Sequence, residues 1–170
     1  MKVILFPNHR HPYNLRLGMP TYNGSMRQPG QTDDEYLDWW IATLRRRGNI
    51  PTDAPVYIVD EADVPHDHSC NAKCEFFDAW EWRDEGARVN MTKARAMHMD
   101  KIRLVRNAEL AAKDIPWMKA VEAGNTSAQA TIATEKQVLR DIPATFDITT
   151  GVSTPELLKA RWPTELPDRE

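Results

Sequence analysis

The chain has 170 residues, 41% of them hydrophobic and 28% charged, with a formal net charge of -3. That length suits one domain, or a small domain with an appendage, and the charge lacks the basic excess that binding along a phosphate backbone requires. No apolar run nears the roughly 20 residues of a bilayer-spanning helix, so nucleic acid and membrane are both set aside as partners.

In chain order, Val3 to Phe6 predicts a short buried strand closed by Pro7. The same run is shorter than the roughly 7 to 15 apolar residues of a signal segment, which predicts folding in a reducing cytoplasm with cysteines held as thiols. From Asn8 to Gln31, Pro12, Gly18, Pro20, Gly24, Pro29 and Gly30 punctuate a polar stretch. That predicts a long irregular arm over 8–31, either a loose loop or a segment that docks on a partner.

Thr32 followed by Glu35 is a capping-box pattern, and Asp33 and Asp34 suit the positive end of a helix dipole. Leu37, Trp40, Ile41 and Leu44 fall on one face, so an amphipathic helix is expected up to Gly48. Arg45 to Arg47 read as dipole complementation on a solvated face rather than a phosphate site. Val56 to Val59 predicts a strand, and Phe76 to Trp82 a second one, returning through a turn at Asp84 to Gly86 and a run from Ala87 to Asn90.

Beyond Asn90 the composition changes. Met91 to Lys113 has no Gly or Pro and is rich in Ala, Met, Lys, Arg and Leu, as a long helix would be. Ala94, His98, Ile102, Val105, Glu109 and Ala112 form its expected inward stripe, widened by Met97, Leu104, Ala108 and Ala111. Pro116 marks a first turn, Gly124 a stop, and Thr126 or Ser127 the cap of a returning helix through Arg140 that Pro143 ends. Ser153, Pro155 and Glu156 open a short last helix stopping at Trp162 and Pro163.

The expected fold is therefore α+β: a sheet-plus-helix head over 1–90, then a helical hairpin with a short terminal helix over 91–170. No catalytic motif is present at a usable spacing, so no enzyme activity, catalytic residue or cofactor is assigned. One stretch, His66 to Cys74, concentrates reactive side chains. His66, His68, Cys70 and Cys74 are zinc-ligand types, but four in nine residues is not the two-knuckle spacing of structural zinc sites, and no metal is assigned. Cys70 and Cys74 could instead pair as a disulfide, with each other or across chains, or stay as exposed thiols. Six tryptophans stand out, and Trp39, Trp80, Trp82, Trp117 and Trp162 are the candidate partner contacts.

The ordered succession VYIVDEADVP, FFDAWEW, VNMTKARAMHMDKIRLVRNAEL, DIPWMKAVEAGN, EKQVLRDIP and STPELLKARWP resembles small tailed-bacteriophage proteins encoded beside tail-fibre genes, the tail-fibre assembly or accessory proteins. It spans about two-thirds of the chain and carries no catalytic signature. The resemblance implies a non-enzymatic role in the host cytoplasm during assembly, binding a tail-fibre or baseplate subunit as a chaperone or as a retained virion component. Relatives run from the VP dipeptide to the aromatic strand through a short arginine-containing stretch, so the cysteines here are a departure. In such a component they could form a covalent link to a neighbouring subunit after lysis. The alternative from another class is a zinc-binding regulator or small metal-dependent enzyme built on 66–74.

Overall fold

The computed structural model describes residues 2–8, 11–18, 27–64, 75–83 and 86–169, with the backbone alone at 8 and 11–17. The fold is α+β, and the chain divides into two compact units, Met1–Asn90 and Met91–Glu170.

In the first unit β1 (Lys2–Asn8) is the centre of an antiparallel sheet, between β2 (His11–Gly18) and β3 (Tyr57–Asp60). Its apolar run is continuous because both faces are covered, and side chains alternate between them. Ile4 and Phe6 meet Leu37 and Ile50 on the side of α1 (Asp33–Arg46), with Trp40, Ile41 and Leu44 packed alongside. Val3 and Leu5 face the other way, against Val64, Trp80 and Ala87. That second layer is a hairpin of β4 (Trp80–Arg83) and β5 (Gly86–Val89), in the register Trp80 to Val89 and Arg83 to Gly86.

Two expectations change here. The 8–31 stretch is not irregular throughout, because His11–Gly18 pairs with β1. Tyr13, Leu15 and Leu17 alternate in the sequence as a strand would, and Pro12 is tolerated because β2 lies at the sheet edge. The end of that strand needs a glycine: a Cβ on Gly18 would lie 2.8 Å from Ile4 and 2.9 Å from Trp40. In addition, Phe77–Ala79 is a 3-10 turn rather than strand, so the expected alternation from Phe76 holds only from Trp80.

The capping box of α1 forms as its sequence requires. Thr32 N–H donates to the Glu35 carboxylate at 2.8 Å, and Glu35 N–H donates to Thr32 Oγ1 at 3.3 Å. The Thr32 amide, then the Thr32 hydroxyl, hold the Glu35 carboxyl below its ordinary value. At the other end Arg45 does more than face solvent: its guanidinium donates to the carbonyls of Thr52 (2.8 Å) and Ala54 (3.0 Å), fastening the following loop to the helix.

The second unit contains α2 (Met91–Ala112), α3 (Asp114–Glu122), α4 (Thr126–Thr145) and α5 (Pro155–Ala160). Gly124 adopts φ 62° at the turn, and Asn125 rather than Thr126 caps α4, its Oδ1 accepting from Ala128 N–H at 3.0 Å. The helix runs through Pro143, whose missing N–H leaves the Leu139 carbonyl without its intrahelical donor, and ends two residues later at Thr145. Thr154, one residue past the expected Ser153, caps α5 through Leu157 N–H. α4 returns antiparallel to α3 and the end of α2: Lys113 pairs with Glu135 at 2.7 Å, Asp114 with Lys136, and Gln129 donates to the Ala120 carbonyl.

Candidate functional site

The helical unit has two ends built on different terms. At its base α2 buries Ala94, His98, Met99 and Ile102, while α4 contributes Leu139 and Ile142 and the last segment contributes Ile148, Val152, Leu158, Pro163 and Leu166. Arg95 Nη2 donates to the Val152 carbonyl at 2.7 Å, and the His98 ring, through Nε2, donates to the Arg161 carbonyl at the same distance. His98 is therefore a hydrogen-bonded core residue that fastens the final segment, with Trp162 edge-on 6.0 Å away. Asp147 organises the link after α4: it accepts from the hydroxyl and amide of Thr149 and from the amide of Thr150. Those donors, Thr149 first, hold its carboxyl far below the ordinary range.

Toward the tip this core thins to Ala120, and large apolar side chains stand in the open. Leu104 is 72% exposed, Ile115 66% and Met118 60%, with Val121 and Val138 about half exposed. The expected widening of the α2 stripe by Leu104, Ala108 and Ala111 is thus overturned, since all three are exposed. They lie on a second face that no described element of this unit covers. Polar clips do the holding instead: Lys113 with Glu135, Asp114 with Lys136, and Lys136 Nζ lying 6.0 Å from the Trp117 ring centroid.

The five tryptophans singled out from the sequence differ in exposure and in what they touch within their own units. Trp39 is 39% exposed and stacks on Tyr36, with ring centroids 5.8 Å apart. Trp80 is fully buried beneath the sheet. Trp82 is half-buried and stacks face to face on Tyr57, with centroids 3.9 Å apart and planes within 7°. Trp162 is half-buried too, its Nε1 donating to the Pro167 carbonyl at 2.8 Å beneath the Arg169 guanidinium. Trp117 is half-buried near Lys136, so four of these rings are partly spent on their own unit, and Trp80 entirely so.

His66, His68, Cys70 and Cys74 lie outside the described residues. Among the described residues no three His, Cys, Asp or Glu side chains are grouped so as to hold a metal ion, and no helix is long and apolar enough to cross a membrane. The sequence offers the hairpin's apolar stripe, with the tryptophans, as a contact surface, but neither pattern singles out the apolar side chains that are exposed toward the tip. Ile115, Met118 and Val121 lie outside the inward stripe that Ala94, His98 and Ile102 define, whereas Leu104 falls within its expected widening and carries no local signal of its exposure. The chain matches no protein-family model, no curated protein and no solved structure.

Proposed function

We propose that this is a non-enzymatic protein of bacteriophage tail assembly, which binds a tail-fibre or baseplate subunit as an assembly chaperone or as a component retained on the virion tail. The observation that carries the reading is the exposed apolar surface of the hairpin tip. Leu104, Ile115, Met118 and Val121, all on α2 and α3, are large side chains that folding of their own unit leaves in solvent. Scattered apolar residues are ordinary on a surface, but a concentration of them on a rod with little core of its own marks a place where another protein docks. The phage-tail partner comes from the sequence resemblance. The work would be done by surface complementarity, with a few buried anchors supplying most of the energy and the surrounding charges setting orientation.

Trp39 and the tip are the contact residues this reading favours; Trp80, having no exposed surface, is kept out of the contact. Cys70 and Cys74 would add a covalent link to a neighbouring subunit once the particle meets an oxidising medium.

Co-expression of the tagged chain with the tail-fibre subunit and, separately, with a baseplate subunit tests the proposal. Retention of one of them on the tag, with more soluble subunit recovered than when it is expressed alone, is the expected result. If neither is retained, the proposal fails. Stoichiometric presence of the chain in purified particles would identify a retained component, and its absence a transient chaperone.

A further inference from the structure

The outer face of α2 and α3 carries a repeat that the inward stripe does not use. Met97, Leu104, Ala111 and Met118 recur every seven residues, and Lys101, Ala108, Ile115 and Glu122 recur with the same period four places later. Alternating steps of four and three are the spacing of a coiled-coil seam. The break between the helices is one residue wide: Lys113 (φ -82°, ψ -6°) makes a tight turn, its N–H bonding to the Leu110 carbonyl at 3.2 Å, and Trp117 N–H bonds in turn to the Lys113 carbonyl at 3.2 Å, so α3 follows directly on α2. From Met97 to Met118 the seam is about 30 Å long at 1.5 Å per residue. Met97 at its start is half-buried; Leu104, Ala108, Ala111, Ile115 and Met118 are all exposed.

The geometry points to a second copy of this chain as the occupant, its own seam laid antiparallel on the first. The order of residues decides both the partner and the direction. About a two-fold axis between Ala108 and Ala111, Leu104 faces Ile115 of the second copy, Ala108 faces Ala111, and Lys101 faces Met118. Each facing pair joins one heptad position to the other, as antiparallel helices require. Two small alanine layers at the centre let the backbones approach closely, with larger side chains closing each side. The charged members of the seam lie at opposite ends. Antiparallel pairing brings Lys101 within about one helical turn of the second copy's Glu122, and the symmetry does so twice. Parallel pairing would instead set lysine against lysine and glutamate against glutamate. Five exposed apolar side chains, two of them alanines, make a smaller face than the about 800 Å² per partner of a standard stable interface, which predicts a reversible dimer.

The pairing takes Leu104, Ile115 and Met118 from the surface proposed above for docking, so a tail subunit bound there displaces the second copy, whichever subunit it is. Sedimentation equilibrium of the full chain, from a few micromolar to several hundred, should show a concentration-dependent rise from 19.5 kDa toward twice that mass. Leu104→Asp with Met118→Asp changes two side chains already in solvent, so circular dichroism should be unaltered while dimerisation weakens at least tenfold, by about 1.4 kcal/mol or more. In a background with Cys70→Ser and Cys74→Ser, a mixture of Leu104→Cys and Ile115→Cys chains should oxidise to a cross-linked dimer far more readily than either alone. A chain that is monomeric throughout, a dimer indifferent to the paired Asp substitutions, or Leu104→Cys cross-linking as well alone as in the mixture overturns the inference. A monomer that still retains a tail subunit would overturn the pairing and leave the proposed function standing; a seam-dependent dimer that retains none would do the opposite.

Discussion

The base and the tip of the helical unit are made by the same helices, yet they are held together in different ways. At the base, side chains from α2, α4, α5 and the final segment close around one another, and Arg95 and His98 fasten backbone carbonyls across the gap. At the tip two helices face each other with little more than alanines, Trp117 and salt bridges between them, and the largest apolar groups point outward. Exposed ion pairs contribute about 0 to 1 kcal/mol each, whereas a fully buried aliphatic side chain contributes about 1.5 to 3. Stability therefore resides in the base, and the tip is free to spend its greasy surface on another molecule.

The sharpest way to break that comparison is a pair of truncations two residues apart on α2. Ile102→Ala, at a fully buried site, should cost about 2 to 5 kcal/mol in urea unfolding followed by circular dichroism, whereas Leu104→Ala should change stability by no more than about 0.5. Equal losses would mean that Leu104 is covered in the free chain. A smaller effect extends the comparison to the first unit: Thr32→Ala removes one half of the α1 capping box and should cost about 1 kcal/mol, read by tryptophan fluorescence. The smallest concerns Asp147. Its folded-state pKa lies below the ordinary 3.8, so its contribution is present above about pH 4 and is lost as the pH falls from there. Asp147→Asn should lower stability at neutral pH and flatten the acid limb of the stability curve. An acid limb identical to that of the unchanged protein would remove the carboxylate from this role.

Much of the fold was legible because several local signals agreed. For α1 the cap, the dipole charges, the inward face and the glycine stop all indicated the same helix, and all are found in the structure. The β4–β5 hairpin and the long α2 were similarly over-determined. β2 was hidden because prolines and glycines around Tyr13, Leu15 and Leu17 outweighed a real alternation, and an edge position forgives what a central strand would not. At Phe76 to Ala79 the apolar run suits a strand, but a run that short is equally at home in a turn packed into a core, which is what forms.

The candidate surface was harder to read, since periodicity says that a helix has an apolar stripe without saying which of two neighbouring stripes will be covered. Ala94, His98 and Ile102 are buried because the last segment lies on them, a long-range event that no local pattern records. Leu104 and Ile115 have no such cover. Tryptophan content misled for a related reason: an amphipathic ring such as Trp162 can satisfy its N–H within its own unit and so be withdrawn from the surface.

The clasp between α2 and the final segment also orders events in time. While the polypeptide emerges from the ribosome, the face of α2 that carries Ala94, His98 and Ile102 has no lid until residues 148–166 have been made. The sheet around β1, by contrast, has all its strands once β3 is out. The first unit can thus mature early, and the helical one must wait, sticky on two sides, for its closing stretch to arrive.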